Sequence, residues 1–165
     1  ARPSAPPTVV EADGYDRSAY LDEIPGSVWA MPSPNMPTVE TAVVYPGGCL
    51  LEATTMSEGR GTTRPFEIFG APWLDAFDYS DRLNALNLPG CRFRALPFLP
   101  TFNKHAGKTC GGTFLHVTDR RTFRPVLTYV AAMQEAIRLS EPPAFLFPSA
   151  AEAVFSTGSP EVERP

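Results

Sequence analysis

Nineteen prolines and twelve glycines limit what this 165-residue chain can form more than any other feature of its sequence. Proline fixes φ and removes a backbone donor, so it interrupts helices and central strands, while glycine favours tight turns. We therefore expect short helices and strands joined by long loops that proline and glycine shape. Binding residues lie disproportionately on such loops when a rigid scaffold holds them.

The composition favours one domain and excludes several classes of protein. With 43% hydrophobic residues, the chain can bury one sizeable core. The net charge is −4 and no basic block is present, which argues against a nucleic-acid-binding surface or an anionic-membrane surface. No apolar run approaches the length of about 18 residues that a membrane span needs. Three widely spaced cysteines indicate neither a disulfide framework nor a zinc pair.

Local patterns predict an α+β fold, a small mixed α/β layered domain with short elements and long loops. Residues 1–14 are rich in proline and alanine and read as a tail or linker, which leaves 15–165 as the domain. A short helix is expected over 36–45, capped by Asn35 and ending before the Pro-Gly-Gly that follows. Residues 49–56 fit either a strand or a helix.

The second half of the chain has clearer patterns. A helix is predicted over 73–86, with one face formed by Trp73, Phe77, Leu83 and Leu86. Alternation predicts strands over 91–98 and 111–120. Pro125 suits the first position of a final helix, whose apolar repeat is Val126, Val130, Met133 and Ile137.

Residues 57–63, SEGRGTT, place a carboxylate and a guanidinium on a glycine-rich stretch. Two interpretations remain open. Glu58 and Arg60 pair with neighbours in a tight structural loop, or the glycines let the backbone approach a ligand while Arg60 grips an anionic group. The stretch has neither the Walker pattern nor a GxGxxG turn, so a nucleotide loop is not indicated.

Residues 100–112, PTFNKHAGKTCGG, concentrate positive charge through Lys104, His105 and Lys108. The spacing of His105 and Cys110 matches no known pairing of nucleophile and base. A metal site at His105 and His116 would need a carboxylate that the sequence does not place, so we expect no metal and no cofactor. His116 on a predicted strand is typical of a half-buried histidine.

Three segments in this order, PSPNMPT, SEGRGTT and CGG-x₃-HVTDR, carry a specific resemblance. Together they resemble the C-terminal domain of the exo-β-N-acetylmuramidase family, long catalogued as the domain of unknown function DUF1343 and now a glycoside hydrolase family. The similarity covers roughly residues 28–130, with weaker echoes in TGSPEVE near the end.

The resemblance implies a bacterial, two-domain hydrolase of cell-wall sugars. Such an enzyme releases N-acetylmuramic acid from the non-reducing end of peptidoglycan fragments, in a cleft between a Rossmann-like N-terminal domain and a smaller C-terminal one. Residues 15–165 would then be most of the second domain, truncated at both ends, and the usual catalytic glutamate would lie in the missing first domain. A periplasmic or secreted location is the corresponding expectation.

The predicted substrate-binding site gathers polar residues from the segments PSPN, SEGRGTT and NKHAG, together with His116. Its members are Asn35, Ser57, Glu58, Arg60, Thr62, Thr63, Lys104, His105 and His116. Arg60 would read the lactyl carboxylate that distinguishes N-acetylmuramic acid from N-acetylglucosamine. Glu58 would orient Arg60 or act as one of the two catalytic carboxylates of a glycosidase. If the segments form one site, they converge on one concave surface.

The sequence departs from the family pattern at two positions and leaves two functions open. Ala53 and Thr55 stand where the family commonly has glycine and asparagine, so the contacts of 53–56 are in question. The chain is either the substrate-binding half of a hydrolase or a non-catalytic module that binds muropeptides or related sugars. A degenerate remnant is disfavoured, because an intact SEGRGTT has no physical purpose in a loop released from function.

Overall fold

The computed structural model describes residues 8–11 and 13–140. Two compact units are separable, Ala1–Ala30 and Met31–Pro165. The first contains a short 3-10 helix, Leu21–Glu23, whose Glu23 side chain accepts from the Tyr20 N–H at 2.9 Å. The sequence interpretation of the last 25 residues, including TGSPEVE, lies outside the described residues.

Within its described residues, 31–140, the second unit contains three α-helices and a three-stranded sheet. The helices are α1 (Val39–Gly48), α2 (Ala76–Ala85) and α3 (Pro125–Leu139), and the strands are β1 (Ile68–Ala71), β2 (Cys91–Ala95) and β3 (Gly111–Val117). A 3-10 helix, Cys49–Ala53, continues directly from α1. The mixed helix-and-sheet architecture confirms the predicted α+β class. Of the helices in the described ranges, none is long and apolar enough to cross a bilayer.

The sheet is antiparallel, with β3 in the middle in the order β1-β3-β2. Phe93 on β2 pairs with Leu115, and Ile68 on β1 pairs with Phe114. Leu115 is buried at 1% exposure whereas His116 is exposed, which confirms the alternation predicted for this strand. The predicted strand over 91–98 is confirmed for its first five residues.

The core lies between the sheet and the helices and includes two buried tyrosines. Tyr79 and Tyr129 are both fully buried. The Tyr79 hydroxyl donates to the Ala132 carbonyl at 2.9 Å, and the Tyr129 hydroxyl donates to the Phe66 carbonyl at 2.6 Å. Burial raises the pKa of both phenols well above the ordinary value, so both stay protonated and remain donors.

The predicted bounds of the first helix are wrong at both ends. Thr38, not Asn35, caps α1, because its side chain accepts from the Thr41 N–H at 3.3 Å. The helix also continues through Pro46 to Gly48. Proline removes one helix hydrogen bond there, and the two glycines that follow it are both buried.

The faces predicted for the two later helices are also partly wrong. On α2, Leu83 is buried as expected, but Phe77 is 68% exposed and Tyr79 takes the core position. The α2 helix begins only after its cap, Asp75, which accepts from the backbone at 2.8 and 2.9 Å.

On α3, Pro125 occupies the start of the helix as predicted, but three of the four residues of the predicted apolar repeat are exposed, and the fourth is only partly buried against the core. Val126, Val130 and Ile137 are each about half exposed, at 52%, 47% and 50%, while Ala132 and Ala136 are fully buried. Alanine lets the helix backbone come close to the core. Close approach therefore decided the buried face, and the hydrophobic repeat did not.

Gly47 sets the spacing between α1 and α3. A Cβ at this position would lie 2.2 Å from the Pro125 oxygen and 2.6 Å from a Tyr129 ring carbon. We expect Gly47→Ala to lower the free energy of unfolding by about 1–3 kcal/mol, because overpacking outweighs the better helix propensity of alanine. Urea unfolding measures this. Gly48→Ala is the control, because its Cβ would meet only the Phe66 side chain, at 3.0 Å. If Gly47→Ala lowers the free energy of unfolding by no more than Gly48→Ala does, α1 and α3 do not approach each other closely at Gly47.

Candidate functional site

A buried carboxylate joins the two loops that the sequence singles out. Glu58 is 2% exposed. Its Oε1 accepts from Arg60 Nε at 2.8 Å, and its Oε2 accepts from Lys104 Nζ at 3.0 Å. Arg60 Nη2 also donates to Glu52 Oε1 at 2.9 Å. We call Glu52, Glu58, Arg60 and Lys104 the Glu58 cluster. It brings the SEGRGTT loop and the loop between β2 and β3 together.

Lys104 fastens both loops to the 3-10 helix that follows α1. Its Nζ donates to the Leu51 carbonyl at 2.9 Å and to the Glu52 carbonyl at 3.0 Å, in addition to Glu58. These three acceptors match the three hydrogens of an ammonium group. A charged group that is largely withdrawn from water needs such pairing. Lys104 is therefore a fixed part of the structure and not a mobile surface lysine.

The hydroxyls of SEGRGTT shape the loop itself. Ser57 pairs with Gly70 through backbone bonds of 2.8 and 3.0 Å, and its Oγ accepts from the Gly59 N–H at 3.1 Å. Thr62 Oγ1 donates to the Gly59 carbonyl at 2.6 Å. Gly59 has φ +80°, and a Cβ there would lie 2.1 Å from the Ile68 oxygen. The loop is consequently a tight turn and not a flexible lid.

A second contact between the loops passes through Gly61. Its carbonyl accepts from the backbone N–H of Thr101 at 3.1 Å and from the Thr101 hydroxyl at 3.0 Å. The φ of Gly61 is +83°, and a Cβ would lie 2.7 Å from the Phe102 nitrogen. The second glycine of SEGRGTT is thus required for the close approach of the two loops.

His105 lies beside the cluster and contacts the segment before SEGRGTT. Its Nε2 is 2.7 Å from the Thr55 carbonyl oxygen, which can only accept, so Nε2 donates. Trp73 meets His105 edge to face, with ring centroids 5.8 Å apart. The contact to Thr55 uses the main chain, so the residue type at 55 does not change it. The departure at Ala53 falls on a buried core position.

The sequence analysis missed Trp73 as a neighbour of the site and placed it on a helix face. Its indole N–H is enclosed and has no hydrogen-bond partner within the part of the chain that the structure describes. Buried indole groups usually find an acceptor. The position of Trp73, ten residues after SEGRGTT and within the range 28–130 that resembles the family, was the available signal.

Strained backbone lies around the cluster. Phe66, Asn103 and His105 have φ of 67°, 68° and 57°. For a bulky residue such as Phe66 this conformation is a genuine outlier. Its N–H donates to the Glu58 carbonyl at 2.6 Å and its ring lies 5.3 Å from the Arg60 guanidinium carbon, so the surroundings hold it in place. Such strain typically persists at functional sites.

The remaining predicted residues, Asn35, Thr63 and His116, make no hydrogen bond or ion pair with the Glu58 cluster among the described residues. Asn35 belongs to the turn before α1, where its N–H donates to Ser33 Oγ at 3.2 Å, and Thr63 is exposed. His116 lies on β3, where its Nε2 accepts from Arg94 Nε at 3.4 Å. The structure thus brings together the SEGRGTT loop, Lys104 and His105, and it places His116 elsewhere.

His116 lines a separate cavity of about 430 Å³ between α1 and β3. We call it the α1–β3 pocket. Its polar lining residues are Glu40, Arg64, Glu67, His116 and Arg120. No residue of the Glu58 cluster is among those that line it in the described part of the chain. Sequence reasoning identified only the histidine.

Glu67 is the buried carboxyl group of this pocket, with 4% exposure. Its Oε1 accepts from the Thr41 hydroxyl at 2.7 Å, while Arg64 Nη1 approaches both oxygens only to 3.5 Å. Burial raises the pKa of Glu67, and the Thr41 and Arg64 contacts oppose that rise. Burial likewise lowers the pKa of His116, with Arg94 and Arg64 acting in the same direction.

Two further observations concern metal-binding groups and the Cys110 thiol among the described residues. Within residues 8–11 and 13–140, no group of three or more His, Cys, Asp or Glu side chains is placed to hold a metal ion. Burial raises the pKa of the Cys110 thiol to about 11, so this cysteine is protonated at neutral pH. Cys110 therefore lacks the thiolate that a nucleophile requires.

Comparison with known proteins places this geometry in a family. The family model described as exo-beta-N-acetylmuramidase NamZ, C-terminal, matches residues 43–162, well over half of the chain. The chain belongs to this family. The matched range contains SEGRGTT, Lys104, His105 and the whole sheet, so the NamZ C-terminal family covers both the Glu58 cluster and the strands that support it.

Two relatives of the NamZ C-terminal domain show how much of a longer protein the chain represents. It is 46% identical over 129 residues to the peptidoglycan beta-N-acetylmuramidase NamZ of Bacillus subtilis, covering 77% of this chain and 30% of that protein. The crystal structure of a DUF1343 family protein from Bacteroides fragilis superposes with a TM-score of 0.70 at 30% identity, over 86% of this chain and 35% of that one. The chain thus spans about a third of the length of these relatives.

The buried Glu67 makes stability depend on pH. Its raised folded-state pKa means that, as the pH rises above the ordinary value of 4.5, the unfolded chain loses this proton first. The folded state then binds more protons, so stability falls until the folded-state pKa is passed. Arg64, Glu40 and Tyr129 are the ionisable groups that interact with Glu67.

We expect Glu67→Gln to lose less stability than the wild type as the pH rises through this window. Glutamine has no proton to lose, and its amide oxygen can still accept from Thr41. Thermal unfolding of both proteins from pH 4 to pH 8 gives the difference between their stabilities, in which the contributions of the other titrating groups cancel. If this stability difference stays constant with pH, or if the wild type becomes relatively more stable as the pH rises, the pKa of Glu67 is not raised.

Proposed function

We propose that this chain is the substrate-binding part of a peptidoglycan β-N-acetylmuramidase. In this proposal it holds the N-acetylmuramic acid residue at the non-reducing end of a cell-wall fragment. The observation that carries the proposal is the Glu58 cluster, which fixes Arg60 and Lys104 at the meeting point of two loops beside His105. The resemblance in sequence to a Bacillus subtilis protein named for β-N-acetylmuramidase activity supports the choice of substrate.

The chemistry of the sugar explains why a fixed cation is needed. N-acetylmuramic acid carries a lactyl ether that ends in a carboxylate, and N-acetylglucosamine lacks it. Glu58 and Glu52 orient the Arg60 guanidinium through Nε and Nη2, and Nη1 makes no hydrogen bond to the described residues. The Arg60 side chain is 23% exposed. A guanidinium already fixed in orientation loses little entropy when it binds a carboxylate.

Glu58 is a positioning residue in this proposal. Both of its carboxylate oxygens are engaged by cations, which leaves neither available to attack or protonate a glycosidic bond. Most glycosidases place two carboxyl groups across that bond. We propose that these come from the region of the longer relatives that this chain does not match, and that the protein acts outside the cytoplasmic membrane, in the periplasm or after secretion.

A non-catalytic sugar-binding module is the second candidate. The same engagement of Glu58 favours it, because a site whose carboxylate is neutralised can bind without cleaving. The two candidates share the site and its ligand. They differ in one observable, since a longer protein that uses this chain only as a module would release no N-acetylmuramic acid.

The proposed role of Arg60 predicts a selective loss of binding. Arg60→Ala should lower the affinity for N-acetylmuramic acid by about ten- to a hundredfold, which corresponds to the loss of one charge-assisted hydrogen bond. The affinity for N-acetylglucosamine should change much less. Arg60→Lys should restore part of the loss, because an ammonium keeps the charge without the planar fork. Titration calorimetry with both sugars measures each affinity.

Arg82→Ala is the matched control, because Arg82 makes a single exposed ion pair with Asp78 at 3.0 Å on α2. It should leave both affinities unchanged. The ratio of the two affinities does not depend on the fraction of protein that is folded. If Arg60→Ala lowers the affinity for N-acetylmuramic acid no more than Arg82→Ala does, Arg60 does not read the carboxylate.

A further inference from the structure

We infer that the α1–β3 pocket is a second saccharide subsite, which takes a neutral pyranose such as N-acetylglucosamine. The proposal rests on the proposed function only for the idea that the ligand comes from a cell-wall polymer. The pocket shares no lining residue with the Glu58 cluster among the described residues. It therefore supplies a different binding chemistry, which three features of its walls define.

The first feature is a weakly engaged acceptor at a buried position. Glu67 Oε2 has only the Arg64 contact at 3.5 Å, beyond the usual length of a strong hydrogen bond. Buried polar groups are normally satisfied, so a nearly enclosed oxygen with one weak partner calls for an explanation. A ligand hydroxyl that donates to Oε2 would satisfy it.

The second feature is a donor next to that acceptor. Arg64 uses Nη1 to contact Thr38 Oγ1 at 3.3 Å and Glu67. Its Nε and Nη2 make no hydrogen bond to the residues that the structure describes. A carboxyl acceptor beside a guanidinium donor suits adjacent sugar hydroxyls, because each hydroxyl both donates and accepts.

The third feature is an aromatic wall. Phe114 and His116 project from the same side of β3 and both line the pocket, with ring centroids 4.2 Å apart. A pyranose ring presents C–H groups on its faces, and these pack favourably on aromatic rings through dispersion. A volume of about 430 Å³ is within the range of small-molecule sites and suits one sugar better than a long fragment.

The charges of the pocket favour a neutral ligand. Arg120 pairs with Glu40 at 3.1 Å, and Arg64 faces Glu67. Each lining arginine is thus matched by a carboxyl group, and burial lowers the pKa of His116, which disfavours its cationic form. Among the lining residues no net positive charge remains to attract the carboxylate of a muramic sugar; Arg94, which donates to His116 Nε2 at 3.4 Å, is not one of them. The geometry therefore assigns the acidic and the neutral sugar to different places on this chain.

The two histidines of the chain allow both sites to be observed separately. His105 lies beside the Glu58 cluster and His116 lines the pocket, and the sequence contains no other histidine. Imidazole carbon–proton resonances can be followed while the 165-residue protein is titrated with N-acetylglucosamine and, separately, with N-acetylmuramic acid. We expect N-acetylglucosamine to shift His116 saturably and N-acetylmuramic acid to shift His105.

Variants of the pocket give the decisive comparison. Arg64→Ala should lower the affinity for N-acetylglucosamine, measured from the His116 resonance, by about tenfold. It should leave the response of His105 to N-acetylmuramic acid unchanged. Glu67→Gln is a second, isosteric variant that should also lower the affinity for N-acetylglucosamine, and Arg82→Ala should change nothing. An unchanged His105 spectrum shows that each variant is folded.

The outcomes separate the two proposals. A His116 resonance that N-acetylglucosamine does not move, or moves equally in wild type and Arg64→Ala, overturns the second subsite. Absence of any His105 response to N-acetylmuramic acid, with His116 still responding to the neutral sugar, overturns the proposed function of the Glu58 cluster and supports the subsite. If neither resonance responds, both proposals are wrong.

Discussion

The buried carboxylate of Glu58 is the interaction on which the site depends. It balances Arg60 and Lys104, which come from different loops, and Lys104 in turn holds the end of the 3-10 helix through two carbonyls. Removing one member of such a network leaves an uncompensated charge in a poorly hydrated place, which costs far more than an exposed ion pair. The 3-10 helix, the SEGRGTT loop and the distant Lys104 therefore share one electrostatic constraint.

One short segment supplies both candidate sites. Glu58 and Arg60 belong to the first, while Arg64 and Glu67 belong to the pocket. Phe66 lies between them with φ +67°, and its backbone bonds to Glu58 and to the Tyr129 hydroxyl hold it there. The strain at this residue turns the chain, so that one continuous stretch carries charged side chains to two surfaces.

Periodicity and turn chemistry predicted the parts of the fold that local sequence controls. The central strand and the start of α3 follow from alternation and from Pro125. The buried face of α3 was not predicted. Its alanines let the helix backbone approach the core closely, and the larger Val126 and Ile137 remain exposed. For the site, the motif grouped His116 with Arg60, but strand geometry puts this histidine in the pocket. Glu67 was missed because one acidic residue in an apolar run shows its burial only in three dimensions.

The most direct test of this account is a double-mutant cycle between Glu58 and Lys104. Urea unfolding of wild type, Glu58→Gln, Lys104→Met and the double variant gives the coupling free energy between the two side chains. The account predicts a coupling of about 1.5–3 kcal/mol, because a buried charged hydrogen bond joins the two loops. If the stability losses of the two single variants sum to that of the double variant within about 0.5 kcal/mol, the two loops are held independently. That result would contradict the central role of Glu58.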